Sequence, residues 1–219
     1  MRRRDLLLAL PASALAVLPG VRSAAAAQKP TPAPLTSAER QAVAQIAAYL
    51  NGLTSLKAKF LQIAPDGAVS QGLAWMERPG RMRFQYDPPS PYLLVAGHGL
   101  LVFHDSQLNQ TTNVLLSSTP LGILLAPHVE LTGSVTVTAF QRLPGEIDLT
   151  LVRTASPAAG SLTLVFSTDL LRLRQWAIRD AEDKVTRVTL YDVELGGHFP
   201  DHLFTYVPPP GIGTRGRGG

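Results

Sequence analysis

Arg81-Met82-Arg83-Phe84-Gln85-Tyr86 decides the fold class. Met82, Phe84 and Tyr86 alternate with Arg81, Arg83 and Gln85. That period of two sets one face of a strand on a core and the other in water. The pattern repeats outward. Upstream, Leu56, Ala58 and Phe60 alternate with Lys57 and Lys59, and Pro65-Asp66-Gly67 reads as a turn. Between them the facing is ambiguous: Leu73 with Trp75, or Ala74 with Met76 and Arg78, are both workable inner sets. Downstream, strands fit residues 92–96, 100–104, 135–140, 147–153, 162–166, 171–179 and 185–193, joined by short connections rich in Gly, Pro, Asp and Asn. About ten short strands in succession predict an antiparallel meander curled into a barrel or a strongly bent sheet.

Two segments depart from this pattern. Thr36-Ser37-Ala38-Glu39 has the spacing of a capping box, and Val43, Ile46, Ala47, Leu50 and Leu53 follow at helical intervals, with Asn51-Gly52 as a stop. This predicts an amphipathic helix over 37–50. Residues 119–126 are nearly all apolar. Thr119 is suited to cap a short helix, Pro120 to open it and Pro127 to end it. Such a piece either plugs a barrel or covers its opening.

The ends of the chain set its compartment. Arg2-Arg3-Arg4, the apolar run Leu6–Leu18 and Ala24-Ala25-Ala26-Ala27 form a secretory signal over 1–27, by the Sec or the twin-arginine route. A Pro-rich linker over 28–35, one domain over 36–210 and a Gly/Arg tail over 211–219 follow. Of 20 Lys+Arg and 16 Asp+Glu, residues 1–27 hold Arg2, Arg3, Arg4, Arg22 and Asp5, which leaves 16 basic and 15 acidic residues. That near-neutral balance argues against a nucleic-acid partner. There is no cysteine, so neither a disulfide framework nor an acylated N-terminal cysteine is available. No later stretch reaches the roughly 18 apolar residues of a membrane span.

Catalytic chemistry is thinly represented. His98, His104, His128, His198 and His202 each read as surface or turn residues. His198 and His202 are four apart but separated by Pro200, which argues against a helical metal pair. No G-x-S-x-G elbow, phosphate loop or dinucleotide fingerprint occurs. We therefore expect no enzyme activity, no cofactor and no metal. Aliphatic strand faces with helical covers suit the holding of acyl chains, although a filled barrel has a similar sequence.

Three stretches carry a resemblance. They are Trp75-Met76-Glu77-Arg78-Pro79-Gly80-Arg81-Met82-Arg83-Phe84-Gln85-Tyr86-Asp87-Pro88-Pro89; then Leu94 to Gly99, His104-Asp105, Leu108 to Thr112 and Thr119-Pro120-Leu121; and Leu173 through Gln175-Trp176, Asp180, Thr186, Val188 and Leu190 to Phe204 and Pro208-Pro209. In order and spacing they resemble the LolA-type periplasmic carriers of outer-membrane lipoproteins. The resemblance implies a mainly β fold: an incomplete, half-open antiparallel β-barrel with a helical lid over a hydrophobic cavity. Residues 37–50 and 119–126 become lid elements, Ala74/Met76/Arg78 the inner set, and Arg78 the latch joining barrel to lid. The expected acyl-chain cavity comprises Met76, Met82, Phe84, Tyr86, Leu121, Leu124, Leu149, Leu151, Leu162, Leu164 and Phe166. The implied function is a monomeric periplasmic chaperone for acylated lipoproteins. Its implied partners are an inner-membrane ATP-driven lipoprotein release complex and an outer-membrane lipid-anchored acceptor. Alternatives are a related periplasmic lipid or glycolipid carrier, a lipoprotein-sensing regulator on the same barrel, or a periplasmic enzyme using dispersed His, Asp and Ser residues. Family members vary in a C-terminal extension, and residues 211–219 are too Gly-rich to predict an ordered element there.

Overall fold

The structure, a computed structural model, describes residues 29–208; the expected signal segment and the Gly/Arg tail lie outside them. Helix α1 (Ser37–Gly52) begins at the anticipated capping box. The Thr36 amide donates to Glu39 Oε2 at 2.7 Å and the Glu39 amide to Thr36 Oγ1 at 3.3 Å. The helix runs two residues past the expected stop and buries Ala42, Val43, Ile46 and Leu50 along one side.

Eleven strands follow: β1 (Ser55–Ile63), β2 (Val69–Glu77), β3 (Arg81–Tyr86), β4 (Tyr92–Gly97), β5 (Leu100–Asp105), β6 (Gln110–Leu115), β7 (Val135–Leu143), β8 (Glu146–Arg153), β9 (Ser161–Ser167), β10 (Arg172–Arg179) and β11 (Val185–Leu195). They form one antiparallel sheet in the order β6-β5-β4-β3-β2-β1-β11-β10-β9-β8-β7. β2 resolves the ambiguous facing: Ala74 and Met76 are buried. β6 has no counterpart in the sequence reading, because Gln110-Thr111-Thr112-Asn113-Val114-Leu115 is exposed throughout and has no alternation to display.

The sheet is curled but not closed. The rings of Phe84 on β3 and Trp176 on β10 lie 5.9 Å apart, although four strand spacings separate them along the sheet. A flat sheet would hold them about 19 Å apart at about 4.8 Å per strand. The terminal strands β6 and β7 do not pair, so the barrel is incomplete. The connection between them crosses the concave side as a 3₁₀ turn (Leu116–Ser118) and a one-turn helix α2 (Leu121–Leu124). The helical part is thus shorter than expected, and Pro120 stands just before it. Thr119 still accepts the Gly122 amide through Oγ1 at 3.3 Å.

Side chains from α1, α2 and the inner strand faces form one core. Tyr49 of α1 meets Phe166 of β9 edge-on at 5.8 Å. After β11 the chain crosses the outer face of the sheet. Arg81 Nη1 bonds Asp201 at 2.6 Å, Arg83 Nη1 donates to Leu203 O at 3.2 Å, and Tyr206 Oη lies 3.0 Å from His104 Nδ1. His104, read as a surface or turn residue, is 5% exposed because this crossing covers it.

Leu151 has no exposure and is surrounded by core from both layers. Leu151→Ala is expected to cost about 2–5 kcal/mol, measured as a lower denaturant midpoint at unchanged slope.

Candidate functional site: a lidded apolar groove

Arg78 follows the last residue of β2 and projects between barrel and lid. Its Nε and Nη2 donate to Ala126 O at 3.2 and 2.6 Å, and its Nη1 donates to Leu50 O. All three bonds end on main-chain carbonyls just where α1 and the α2 segment terminate. The last turn of α1 carries no basic residue of its own. A guanidinium there adds to the Leu53 amide's bond on Leu50 O, supplies the donors to Ala126 O, and complements the negative ends of two helices. Burial pushes the Arg78 guanidinium below its ordinary value, but a group so basic stays charged at neutral pH.

Further ties hold the same cover. The Gly80 amide donates to Leu125 O at 2.9 Å. Asn51 and Val129 exchange two bonds, Nδ2 to Val129 O at 3.1 Å and the Val129 amide to Oδ1 at 2.8 Å. Arg153 Nε on β8 donates to Thr119 O at 3.3 Å. In the sequence Asn51, Thr119 and Gly80 read only as a helix stop, a cap and part of a resemblance; as ties to the cover, none of these positions except Arg78 emerges. An isolated Asn or Arg carries no spacing signal, and the bonded groups lie 34 to 78 residues apart.

Beside the cover an apolar groove of about 260 Å³ opens on the inner face. Four expected cavity residues line it: Met82, Phe84, Tyr86 and Leu121. The other seven, Met76, Leu124, Leu149, Leu151, Leu162, Leu164 and Phe166, are buried in the packed core. The reason is that Ile46, Leu50, Ile123 and Leu125 of the cover belong to that same core. Leu94, Phe103, Trp176, Ile178 and Val188 add to its apolar wall. Trp176 and Ile178 alternate along β10, a signal the sequence does carry. Phe103 is 37% exposed in the groove wall. A second apolar cleft, of about 610 Å³, lies on the other side of α1, between Val43 and Ala47 and the chain at Val129, Leu131 and Val135.

Among the described residues no group of three or more His, Cys, Asp or Glu side chains is placed to hold a metal, and no helix is long and apolar enough to cross a membrane. The groove's polar side chains are Gln62, Tyr86, Asp180, Lys184 and Thr186. The Tyr86 hydroxyl donates to Gln62 Oε1 at 2.8 Å, and burial raises its pKa to about 12.

An incomplete β-barrel closed by helices over an apolar groove defines a class of small lidded β-barrels. The chain belongs to the LolA family, described as "Outer membrane lipoprotein carrier protein LolA", whose family model matches residues 51–207. It is 25% identical over 196 residues to the outer-membrane lipoprotein carrier protein of Chromohalobacter salexigens, covering 85% of this chain and 92% of that one. It is 27% identical over 188 residues to that of Nitrosomonas europaea, covering 78% of this chain and 87% of the relative. A solved LolA superfamily protein from Nitrosomonas europaea aligns with a TM-score of 0.41 at 12% identity, over 74% of this chain and 97% of that one.

Two outcomes follow from this geometry. Arg78→Leu leaves Ala126 O without its donors, at about 1–3 kcal/mol, while Leu50 O keeps the Leu53 amide. Hydrogen exchange over the last turn of α1 and residues 119–126 is expected to quicken roughly tenfold, with β8 and β9 unchanged. For Tyr86, the folded pKa lies above the free value near 10. Its stabilising contribution is therefore complete below about pH 10 and is lost as pH rises through about 12. An alkaline absorbance titration of the five tyrosines should show one late component that Tyr86→Phe removes.

Proposed function

We propose that this chain is a periplasmic carrier that takes acyl chains of lipoproteins released from the inner membrane and delivers them to the outer membrane. In this reading residues 1–27 are a cleaved export signal and 36–210 form the single carrier domain. The observation that carries it is the pairing of an apolar inner groove with a cover latched by main-chain hydrogen bonds through Arg78.

The energetics favour a latch of this kind. Hiding an acyl chain from water is worth about 0.8 kcal/mol per methylene. A chain of about sixteen carbons free in water would cost on the order of 12 kcal/mol. A carrier that gripped every methylene could not release its cargo. Here Ile123, Leu124 and Leu125 occupy the inner face when the cover is shut. Cargo displaces them, so apolar contact is exchanged rather than created, and the net affinity is the difference. Arg78 sets the closed state's share of that balance. Loading energy comes from an inner-membrane ATP-driven release complex, and unloading is completed by a lipid-anchored acceptor in the outer membrane. The carrier acts as a monomer without a cofactor.

Periplasmic expression followed by purification and mass spectrometry of what remains bound tests the reading. Acylated lipoproteins bound one to one are expected, and Phe103→Glu is expected to abolish their recovery while the barrel's circular dichroism is retained. Recovery of no acylated protein from the wild type would sink the assignment. Arg78→Leu is expected to alter the rate of hand-over to outer-membrane acceptor; transfer at the wild-type rate would remove its latch role.

A further inference from the structure

We propose that the place where β10 and β11 part is a second binding site, independent of the lidded groove, for the acyl chain of an anionic amphiphile. The two strands pair from Arg179↔Val185 to Gln175↔Thr189 and then stop, although β10 reaches back to Arg172 and β11 onward to Leu195. Beyond that point β11 is paired only with β1, through Lys59↔Tyr191, Lys57↔Glu194 and Leu56↔Leu195. Register irregularities at Lys57/Lys59 and Leu173/Gln175 flank the parting, and Asp192 has a φ of 48°. Such bulges bend strands and end their pairing. The Leu173 amide donates instead to the Tyr49 hydroxyl of α1, at 3.2 Å.

The parting is a cleft of about 300 Å³, with Tyr49, Leu173, Leu190, Val193 and Leu195 in its walls. That is the lower end of the size of small-molecule sites, about 300–1,000 Å³. Leu195 lies opposite Leu56, which is in the core. Yet Leu195 and Val193 are 54% and 39% exposed. Scattered exposed aliphatics are ordinary on any surface. A row of them leading to the inner wall beside α1, with no strand across from it, is a surface shaped for an apolar chain. Two tyrosines stand in the walls, Tyr49 and Tyr191; the Tyr49 hydroxyl is already bonded to the Leu173 amide.

The rim supplies the charge. Arg172 and Arg174 border the cleft, both exposed, and neither forms an ion pair among the described residues. The nearby acid Asp192 is engaged by Lys59 at 2.9 Å. The Asp169 carboxylate, held below its ordinary value chiefly by its bond to Ser167, offsets part of the Arg174 charge, and Arg172 keeps the rim's balance cationic. A carboxylate or phosphate head complements it, so the ligand is a fatty acid or a phospholipid with one chain seated between the strands.

The test is amide NMR of the full-length protein titrated with laurate, with dodecyl maltoside as a neutral amphiphile and with lysophosphatidylglycerol, each below its micelle concentration. Laurate is expected to shift Leu173 and residues 190–195. Arg172→Gln/Arg174→Gln is expected to weaken laurate binding about tenfold and leave dodecyl maltoside unaffected. Tighter binding of laurate than of lysophosphatidylglycerol assigns the site to fatty acids, and the reverse order to phospholipids. Shifts confined to Leu94, Phe103 and Trp176, no shifts at all, or laurate binding that the double variant leaves unchanged would each overturn the proposal. Because the groove reports through its own residues, failure here leaves the carrier reading untouched, and the converse also holds.

Discussion

Arg78 sits where two helix ends converge and donates hydrogen bonds to both. A helix ends with carbonyls that have no internal partner, and α1 brings no basic residue to its last turn. The α2 segment closes its own last turn through the Leu125 and Ala126 amides, which leaves Ala126 O beyond it. One guanidinium from the barrel wall donates to both, through Leu50 O and Ala126 O. Its rigid fork makes several donors available in one plane. The bonds end on backbone rather than on a carboxylate, so the contact can form or break without stranding a buried counter-charge.

The second constraint is the unclosed sheet. Eleven strands curl until β3 and β10 touch through Phe84 and Trp176, yet β6 and β7 stay unpaired. The chain between these two edges therefore crosses the concave side, and its apolar residues are spent on filling the inside. Plug and cover are the same segment: Leu121, Ile123, Leu124 and Leu125 are all buried, while Arg78, Gly80 and Arg153 tie down the backbone around them. Elsewhere the edges are managed separately. On the β7 edge the Ala33 amide donates to Val137 O at 2.9 Å. The segment after β11 crosses the outer face, where Tyr206 meets His104 and Thr111.

Much of this was legible along the chain. Strict alternation at residues 81–86, the capping box at Thr36 and the run of turn residues determined a mainly β body with one amphipathic helix, because these are local patterns whose periods differ. The resemblance added a lid, an inner set for β2 and Arg78. What local pattern cannot encode is which inner side chains meet solvent and which meet each other. Met82 and Leu149 look alike in sequence, but one borders the groove and the other lies under the cover. Likewise β6 exists only because β5 offers it a ladder, and His104 is buried only because a segment about a hundred residues later lies across it. Sequence by itself determined the strands, the helix and the apolar supply, since each depends on neighbours a few residues away. Tertiary structure alone decided the groove, the latch partners and the parting of β10 from β11, because each is set by the curvature of the whole sheet.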